Sequence, residues 1–161
     1  GFLIHVYQLR PKSRGRMSLR SSNPAEKPII DANYLSKNED LVALRQGVRI
    51  ARYLATQKSF DSYRGEEIAP GATIEGNTDL DNWIRANATT SYHPVGTCRM
   101  GSDIRAVVDP ALRVQGLTGL RIADASIMPA ITGGNTNAPT IMIGEKAADL
   151  ILGLPPLKVE A

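Results

Sequence analysis

The sequence is poor in the side chains that build covalent and metal-bound frameworks. Its 161 residues include one cysteine and two histidines. A single cysteine excludes an intrachain disulfide and a cysteine-based zinc cluster. The only histidine besides His93 is His5, and no carboxylate pattern accompanies them, so we expect no metal site. No apolar run approaches the ~20 residues that span a bilayer.

Charge and leader sequences are equally sparse. The net charge is +3, and the basic residues cluster only near the N-terminus, at Arg10, Lys12, Arg14, Arg16 and Arg20. Few aromatic residues accompany them, so we interpret the cluster as a solvated hairpin face and expect no nucleic-acid partner. No signal peptide is evident. The chain starts without methionine and enters an extended pattern at once, which predicts a fragment whose upstream part is missing.

Hydrophobic periodicity predicts sheet in the first third of the chain. Residues 2–9 and 17–21 have strand patterns, joined by a turn around Gly15. Residues 29–35 form a further short extended piece. The pattern predicts an antiparallel sheet here.

Three later segments have the spacing of helices. We predict helices at 39–57, capped by Ser36 or Asn38, at 78–87, capped by Thr78, and at 138–152. Gly153 should end the last helix. Short extended segments lie between the last two helices, and 120–123 reads as a buried strand. The fold class is therefore α+β, an antiparallel sheet with flanking helices.

His93 stands at the start of "HPVGTCRMG", residues 93–101. A lone histidine is as often a satisfied core residue as a functional one. A histidine on a loop is also available as a general base, because imidazole titrates near neutral pH. The residues alone leave both readings open.

Two further motifs have the same ambiguity. Asn135, Thr136 and Asn137 precede the last helix, where they could form a plain N-cap or an anion site made by unpaired N–H groups and the helix dipole. Asp124 ends the predicted strand at 120–123, where ligands bind in α/β sheets.

In this order the motifs resemble one family. "HPVGTCRMG", "VVDPALRVQGLTGLRIADASIMP" and "GGNTNAPTIMIGEKAADLI" are similar to the C-terminal part of glucose–methanol–choline (GMC) flavin oxidoreductases, as are "SRGRMSLRSSNP", "PIIDANYL", "YRGEEIAPG" and "LDNWIR" upstream. The resemblance covers residues 1–153. Within the family the chain looks closest to bacterial choline dehydrogenases and related alcohol dehydrogenases.

The resemblance implies a division of the chain. Residues 1–90 match part of the substrate, or cap, domain, and residues 91–161 match the active-site loop and the C-terminal strand and helix of the FAD-binding α/β domain. No GxGxxG fingerprint occurs, so the resemblance implies that the N-terminal FAD-binding region is absent and would be a partner of this chain.

The resemblance also implies roles for single residues. His93 matches the family's catalytic histidine, and Asn135 matches a second active-site position. FAD would be the cofactor, with Asp124, Ala125, Asn135, Thr136 and Asn137 beside it. The activity implied is oxidation of a primary alcohol to an aldehyde by hydride transfer to flavin N5.

Choline itself is not specified by these residues. A trimethylammonium group calls for an aromatic or carboxylate pocket, and the chain has only two Phe, five Tyr and one Trp. Glu66 and Glu67 could attract such a cation, but Tyr63 and Glu66 could equally be surface residues.

We also expect properties of the isolated chain and a location for it. As an isolated chain the protein should be inactive and should self-associate through exposed apolar surface. We expect an intracellular location, in the bacterial cytoplasm or at the surface of the inner membrane. The alternative function is a non-catalytic binding or scaffold module derived from the same family.

Overall fold

The structure is a computed structural model that describes residues 1–155. The chain divides into two compact units, Gly1–Ser91 and a second that begins at Tyr92. The described elements are β1 (Arg16–Ser18), β2 (Ile29–Asp31), α1 (Asn38–Ala55), a 3₁₀ turn (Lys58–Phe60), α2 (Asn77–Asn87), a second 3₁₀ turn (Ala125–Ile127) and α3 (Asn137–Leu152). The assignment of the two units to a cap and an FAD-binding segment stays a prediction.

A short hairpin opens the first unit. β1 and β2 are antiparallel, with Met17 opposite Ile30. Gly15 lies just before β1, and a Cβ there would lie 2.2 Å from the carbonyl oxygen of Asp31. Glycine is therefore required where the chain enters the hairpin.

The strand expected at 2–9 is wrong, because this segment is not in the sheet and β1 pairs with β2 instead. Its side chains pack elsewhere in the first unit. Val6 fills the space left by Gly47 on α1, where a Cβ would lie 2.2 Å from the Val6 Cγ1, and the Phe2 ring lies 4.9 Å from that of Phe60. Apolar packing on a helix thus uses the side chains that the sequence pattern assigned to a sheet.

Asp40 fastens the end of this segment to α1. Its carboxylate is buried and accepts hydrogen bonds from the backbone N–H groups of Lys12 and Ser13 and from the Ser13 hydroxyl. Burial raises the pKa of Asp40, but the hydrogen bonds together lower it by more than burial raises it. The pKa of Asp40 therefore lies below its ordinary value.

The helices α1 and α2 pack on each other. Leu41 of α1 and Leu80 and Ile84 of α2 are buried. At the edge of this contact the Arg45 guanidinium donates to both carboxylate oxygens of Asp81, at 2.8 and 2.6 Å. The apolar stripes predicted at 39–57 and 78–87 are therefore confirmed as helices, with slightly different ends.

The predicted caps of these two helices are wrong. Lys37 is the N-cap of α1 and Gly76 the N-cap of α2, and neither makes a side-chain capping bond. Ser36 lies outside the helix, whereas Asn38 and Thr78 lie inside their helices. The Ser13 hydroxyl accepts the N–H of Lys37, so a residue distant in sequence bonds to the N-cap residue of α1.

The second unit is built on irregular chain packed against one helix. Its core contains Val108, Leu112, Ile127, Met128, Ile143 and Ala147. Isolated bridges join Met100 to Val108, Val108 to Val114 and Arg113 to Arg121. α3 begins at Asn137 and ends at Gly153, which has a φ of 67°, as the sequence predicted for that glycine.

The α+β fold class is confirmed, as a two-stranded antiparallel sheet with three α-helices in the described residues. The buried strand expected at 120–123 is not formed. Arg121 makes only a single bridge to Arg113, and Leu120 is half exposed. Of the C-terminal strand and helix predicted for the second unit, the helix forms as α3. The strand is reduced to the isolated bridge at Arg121.

Candidate active site

His93 lies on a loop whose course is fixed by the residues that follow it. Gly96 has a φ of 92° and a Cβ there would lie 3.3 Å from the Met128 carbonyl oxygen, so the loop needs glycine to turn at this point. Beyond the turn, the N–H of Cys98 donates to the Ser126 carbonyl at 3.0 Å and that of Met100 to the Ile127 carbonyl at 2.7 Å. These bonds tie the histidine loop to the 3₁₀ turn.

The second part of the site is the start of α3. Thr136 is the N-cap residue of this helix, although its side chain caps no N–H group. Gly133 turns the preceding loop with a φ of 87°. Asn135 is exposed, whereas only 8% of Thr136 is accessible to solvent. The two neighbours therefore face different environments.

Both ring nitrogens of His93 are engaged by these two residues. Nδ1 lies 3.0 Å from the Thr136 hydroxyl oxygen, and Nε2 lies 2.9 Å from the side-chain nitrogen of Asn135. The structure thus brings together three of the residues that the sequence placed at one site, from loops 43 and 42 residues apart.

These contacts fit one tautomer of the His93 ring. An amide nitrogen is only a donor, so Nε2 accepts from Asn135 and carries a lone pair. In this tautomer the neutral ring has its proton on Nδ1, and the Thr136 oxygen at 3.0 Å is its acceptor. The Nε2 lone pair points towards Asn135, which is exposed. A hydroxyl group that enters between Nε2 and the Asn135 amide can therefore donate its proton to Nε2.

Asp124 and Ala125 serve a local purpose. The Asp124 side chain accepts the N–H of Ser126 at 2.7 Å and caps the 3₁₀ turn. Within residues 1–155, neither residue shares a hydrogen bond with His93 or Asn135. Asp124 is exposed. The structure shows its capping bond, and its contact with a cofactor stays a prediction.

An ion pair that the sequence analysis missed stabilises the loop after His93. Arg99 donates to both carboxylate oxygens of Asp103, at 2.9 and 2.6 Å. This guanidinium, with the N–H of Arg105, lowers the pKa of Asp103 to about 2. The i,i+4 spacing of opposite charges was the signal for it, but the segment is not helical, so the helical rule did not suggest it.

A cavity lies elsewhere in the second unit. It has a volume of about 780 Å³ and is lined by the loop 113–121 with Asp109 and Ile151. Both of its guanidiniums are occupied: Arg113 pairs with Asp109 at 2.8 Å, and Arg121 donates to the Ala111 carbonyl. The imidazole, the amide and the hydroxyl that contact one another are at His93, Asn135 and Thr136 instead.

The described residues hold neither a metal-binding cluster nor a membrane-spanning helix. Between residues 1 and 155, no group of three or more His, Cys, Asp or Glu side chains could hold a metal ion. None of the helices in that range is long and apolar enough to cross a membrane.

Comparison with known proteins identifies the family. The family model described as GMC oxidoreductase matches residues 11–144. The chain belongs to the GMC oxidoreductase family. His93, Asn135 and Thr136 all lie inside the matched range, so the clustered residues belong to the part of the chain that defines the membership.

Individual relatives agree with this membership. An oxygen-dependent choline dehydrogenase of Brucella ovis is 52% identical over 159 residues, which are 98% of this chain and 29% of that protein. Among solved structures, pyridoxine 4-oxidase from Mesorbium loti matches 92% of the chain and 29% of its own length, with a TM-score of 0.86 and 32% identity. A formate oxidase from Aspergillus oryzae, studied for the effect of a mutation on FAD modification, matches 90% of the chain and 26% of its own length, with a TM-score of 0.85 and 31% identity.

The chain covers less than a third of each of these relatives. The chain spans 29% of the curated relative and a similar share of the solved structures. The activity of a whole protein is therefore a matter for proposal.

Proposed function

We propose that this chain is the part of an FAD-dependent alcohol dehydrogenase that carries its catalytic base. The observation that carries the proposal is the engagement of His93 on both ring nitrogens, by Asn135 on the exposed side and Thr136 on the buried side. Membership in the GMC oxidoreductase family supports it.

His93 acts as the base. A hydroxyl placed between Nε2 and Asn135 donates its proton to Nε2 while its oxygen accepts from the Asn135 amide. As the O–H bond breaks, an oxygen lone pair forms the carbonyl and the hydrogen of the alcohol carbon leaves with its electron pair. Asn135 holds the oxygen but cannot relay a proton, so a single base serves the reaction.

The start of α3 fits a group that gains negative charge. The first N–H groups of a helix have no partner within it, and the helix dipole favours an anion there. Asn137 and Ala138 in this turn are exposed, while Pro139 brings no N–H. Asn135, the backbone of Thr136, and Asn137 are the residues that would hold the flavin ring of FAD here.

FAD, when bound, supplies the acceptor for the hydride. We propose that Asp124 and Ala125 lie towards its ribose and pyrophosphate. A carboxylate beside phosphate is unfavourable, so Asp124 suits a ribose hydroxyl, and the oxygen that accepts from Ser126 leaves the second one for it.

The substrate is a primary alcohol, and the relation to a choline dehydrogenase supports choline as a candidate. The two carboxylates considered for a cationic head differ in the structure. Glu67 pairs with Arg52 at 2.9 Å, so its charge is already balanced, whereas Glu66 is exposed. Glu67 is therefore set aside as the cation site.

Mixing the full-length FAD-containing enzyme with primary alcohols without oxygen tests the function. We expect the flavin absorbance to bleach and one aldehyde to form per flavin, with choline among the alcohols tried. If none of the alcohols bleaches the flavin, the proposal is wrong and a non-catalytic module becomes the better reading.

The isolated 161-residue chain should be inactive. Its residues present the base but match only 29% of a related enzyme's length. Added FAD should give neither saturable binding nor dye reduction with alcohol. Turnover by the chain alone would contradict the dependence on an N-terminal FAD-binding region that we propose. A bacterial origin is part of the proposal, since the related choline dehydrogenase is from Brucella ovis.

A further inference from the structure

We infer that Thr136 is a positioning residue for His93, which fixes the proton on Nδ1 and so keeps the Nε2 lone pair directed at the substrate. The inference rests on the proposed function for its catalytic meaning, but the contact itself can be tested without it. It gives the threonine a task distinct from contact with a cofactor.

The first step is the environment of the hydroxyl. Thr136 is 8% exposed, and its oxygen lies 3.0 Å from Nδ1. Its side chain caps no N–H of α3, which is the usual task of a threonine at this position. The hydroxyl is therefore turned from the helix end to the ring.

The second step is the order of donors along the three side chains. The Asn135 nitrogen lies 2.9 Å from Nε2, and this contact fits a ring that keeps its proton on Nδ1. A hydroxyl oxygen accepts from Nδ1–H. Without this acceptor, the neutral ring would lose a hydrogen bond that favours Nδ1–H, and the proton could move to Nε2, where it would block the base.

The third step is what happens when the ring takes a second proton. Positive charge then develops on the imidazole, and the Nδ1–H···O bond becomes charge-assisted and stronger. Thr136 thus stabilises the ring most after the substrate proton has arrived. Its backbone is held as well, since the carbonyl of Thr136 accepts both the N–H and the hydroxyl of Thr140, at 3.0 and 2.6 Å.

The chain offers a well-matched set of variants. Thr136→Val keeps the shape and removes the hydroxyl, while Thr136→Ser keeps the hydroxyl. Thr140→Val is the control, because it removes a hydroxyl from the same helical turn that bonds to backbone and not to His93. The chain has only two histidines, so His5→Gln assigns the ring signals without ambiguity.

Nitrogen NMR of the imidazoles in the 161-residue chain, at a pH where they are neutral, reads the tautomer directly. We expect His93 to carry its proton on Nδ1 in the wild type, in Thr136→Ser and in Thr140→Val, and to shift towards Nε2–H in Thr136→Val. A wild-type ring with the proton on Nε2, or a Thr136→Val ring with an unchanged tautomer, overturns the inference. Amide spectra of each variant confirm that the fold is kept, and Thr136→Ser serves as the rescue if the valine variant is unfolded.

Flavin reduction in the full-length enzyme gives the second readout. We expect Thr136→Val to lower the rate constant about tenfold at saturating alcohol with little change in KM, and Thr136→Ser to stay within about threefold of wild type. A valine variant as fast as wild type contradicts the positioning role. Failure of the proposed function looks different, because the wild type itself would then not reduce its flavin although the NMR result stands.

Discussion

The Nε2 atom of His93 lies 2.9 Å from the side-chain nitrogen of Asn135, although 42 residues separate them in the chain. The two residues come from loops that have no regular structure. Each loop is held by its own anchors, Gly96 and the Cys98 N–H bond on one side and the start of α3 on the other. The pair is therefore a property of the fold of the second unit.

Asn135→Asp should impair the base. A carboxylate beside Nε2 favours a protonated ring, because opposite charges within ~4–6 Å stabilise each other. The lone pair that receives the substrate proton is then lost. We expect flavin reduction by alcohol in the full-length enzyme to slow at least tenfold, measured by stopped flow without oxygen. Asn82→Asp on the exposed side of α2 is the control, and an Asn135→Asp enzyme at the control's rate would refute the pairing as functional.

Gly96→Ala should destabilise the second unit. Its φ of 92° and the 3.3 Å approach of a Cβ to the Met128 carbonyl both disfavour a side chain. Strained positions of this kind cost about 1–3 kcal/mol each. Urea unfolding of the 161-residue chain measures the change. Gly65→Ala, at a glycine with no atom within 4 Å of its Cβ, should be nearly neutral, and equal stabilities of the two variants would speak against the loop geometry.

Asp40→Asn should weaken the first unit and reduce its sensitivity to acid. The amide keeps one acceptor and turns an N–H₂ group towards the N–H donors of Lys12 and Ser13, at a cost of about 1–3 kcal/mol. Because the folded pKa of Asp40 lies below its ordinary value, its ionised form contributes stability above pH ~4 that is lost as the pH falls through the lower folded pKa.

Denaturant unfolding at pH 7 and near pH 3 checks both parts of this prediction. The wild type should lose more stability between the two pH values than Asp40→Asn. Asp61→Asn is the control, since that exposed carboxylate pairs only at the surface with Arg64. A loss of stability on acidification that is steeper in Asp40→Asn than in the wild type would contradict the role of the ionised Asp40 carboxylate.

The isolated chain should self-associate. Apolar side chains on α3 are exposed, with Ile141 at 58% and Leu152 at 70%, and both lie on one face of the helix. Light scattering with size exclusion should show mass rising with concentration. The double variant Ile141→Glu with Leu152→Glu should shift the chain towards monomer. A wild-type chain that remains monomeric at high concentration would contradict this prediction.

The local sequence pattern was sufficient to predict the helices but not to predict which segments pair in the sheet. The apolar stripes of α1 and α2 and the glycine stop of α3 depend on neighbours within a few residues, which the sequence displays. The segment 2–9 has the same strand composition whether it pairs with β1 or packs on Gly47, and that choice depends on distant residues. The same holds for the caps, since Ser13 reaches Lys37 across the fold.

The candidate site was predicted from the resemblance of the ordered motifs to the GMC family, and the structure adds the contacts between its residues. His93 and Asn135 were singled out from their motifs, and the structure brings them together. The hydroxyl of Thr136 could not be assigned to His93 from the sequence, because nothing local to a threonine before a helix distinguishes a cap from a partner 43 residues away. Asp124 resembled a cofactor residue, and its capping of the 3₁₀ turn appeared only in three dimensions.

The most direct test of the central claim is flavin reduction by His93→Gln in the full-length enzyme, followed without oxygen and compared with His5→Gln. Glutamine retains hydrogen bonding but cannot take the alcohol proton, and a general base contributes roughly 10²–10⁴-fold to a rate. The account predicts a fall of at least 100-fold for His93→Gln and a rate near wild type for His5→Gln. A His93→Gln enzyme that reduces its flavin within a few-fold of wild type would contradict it.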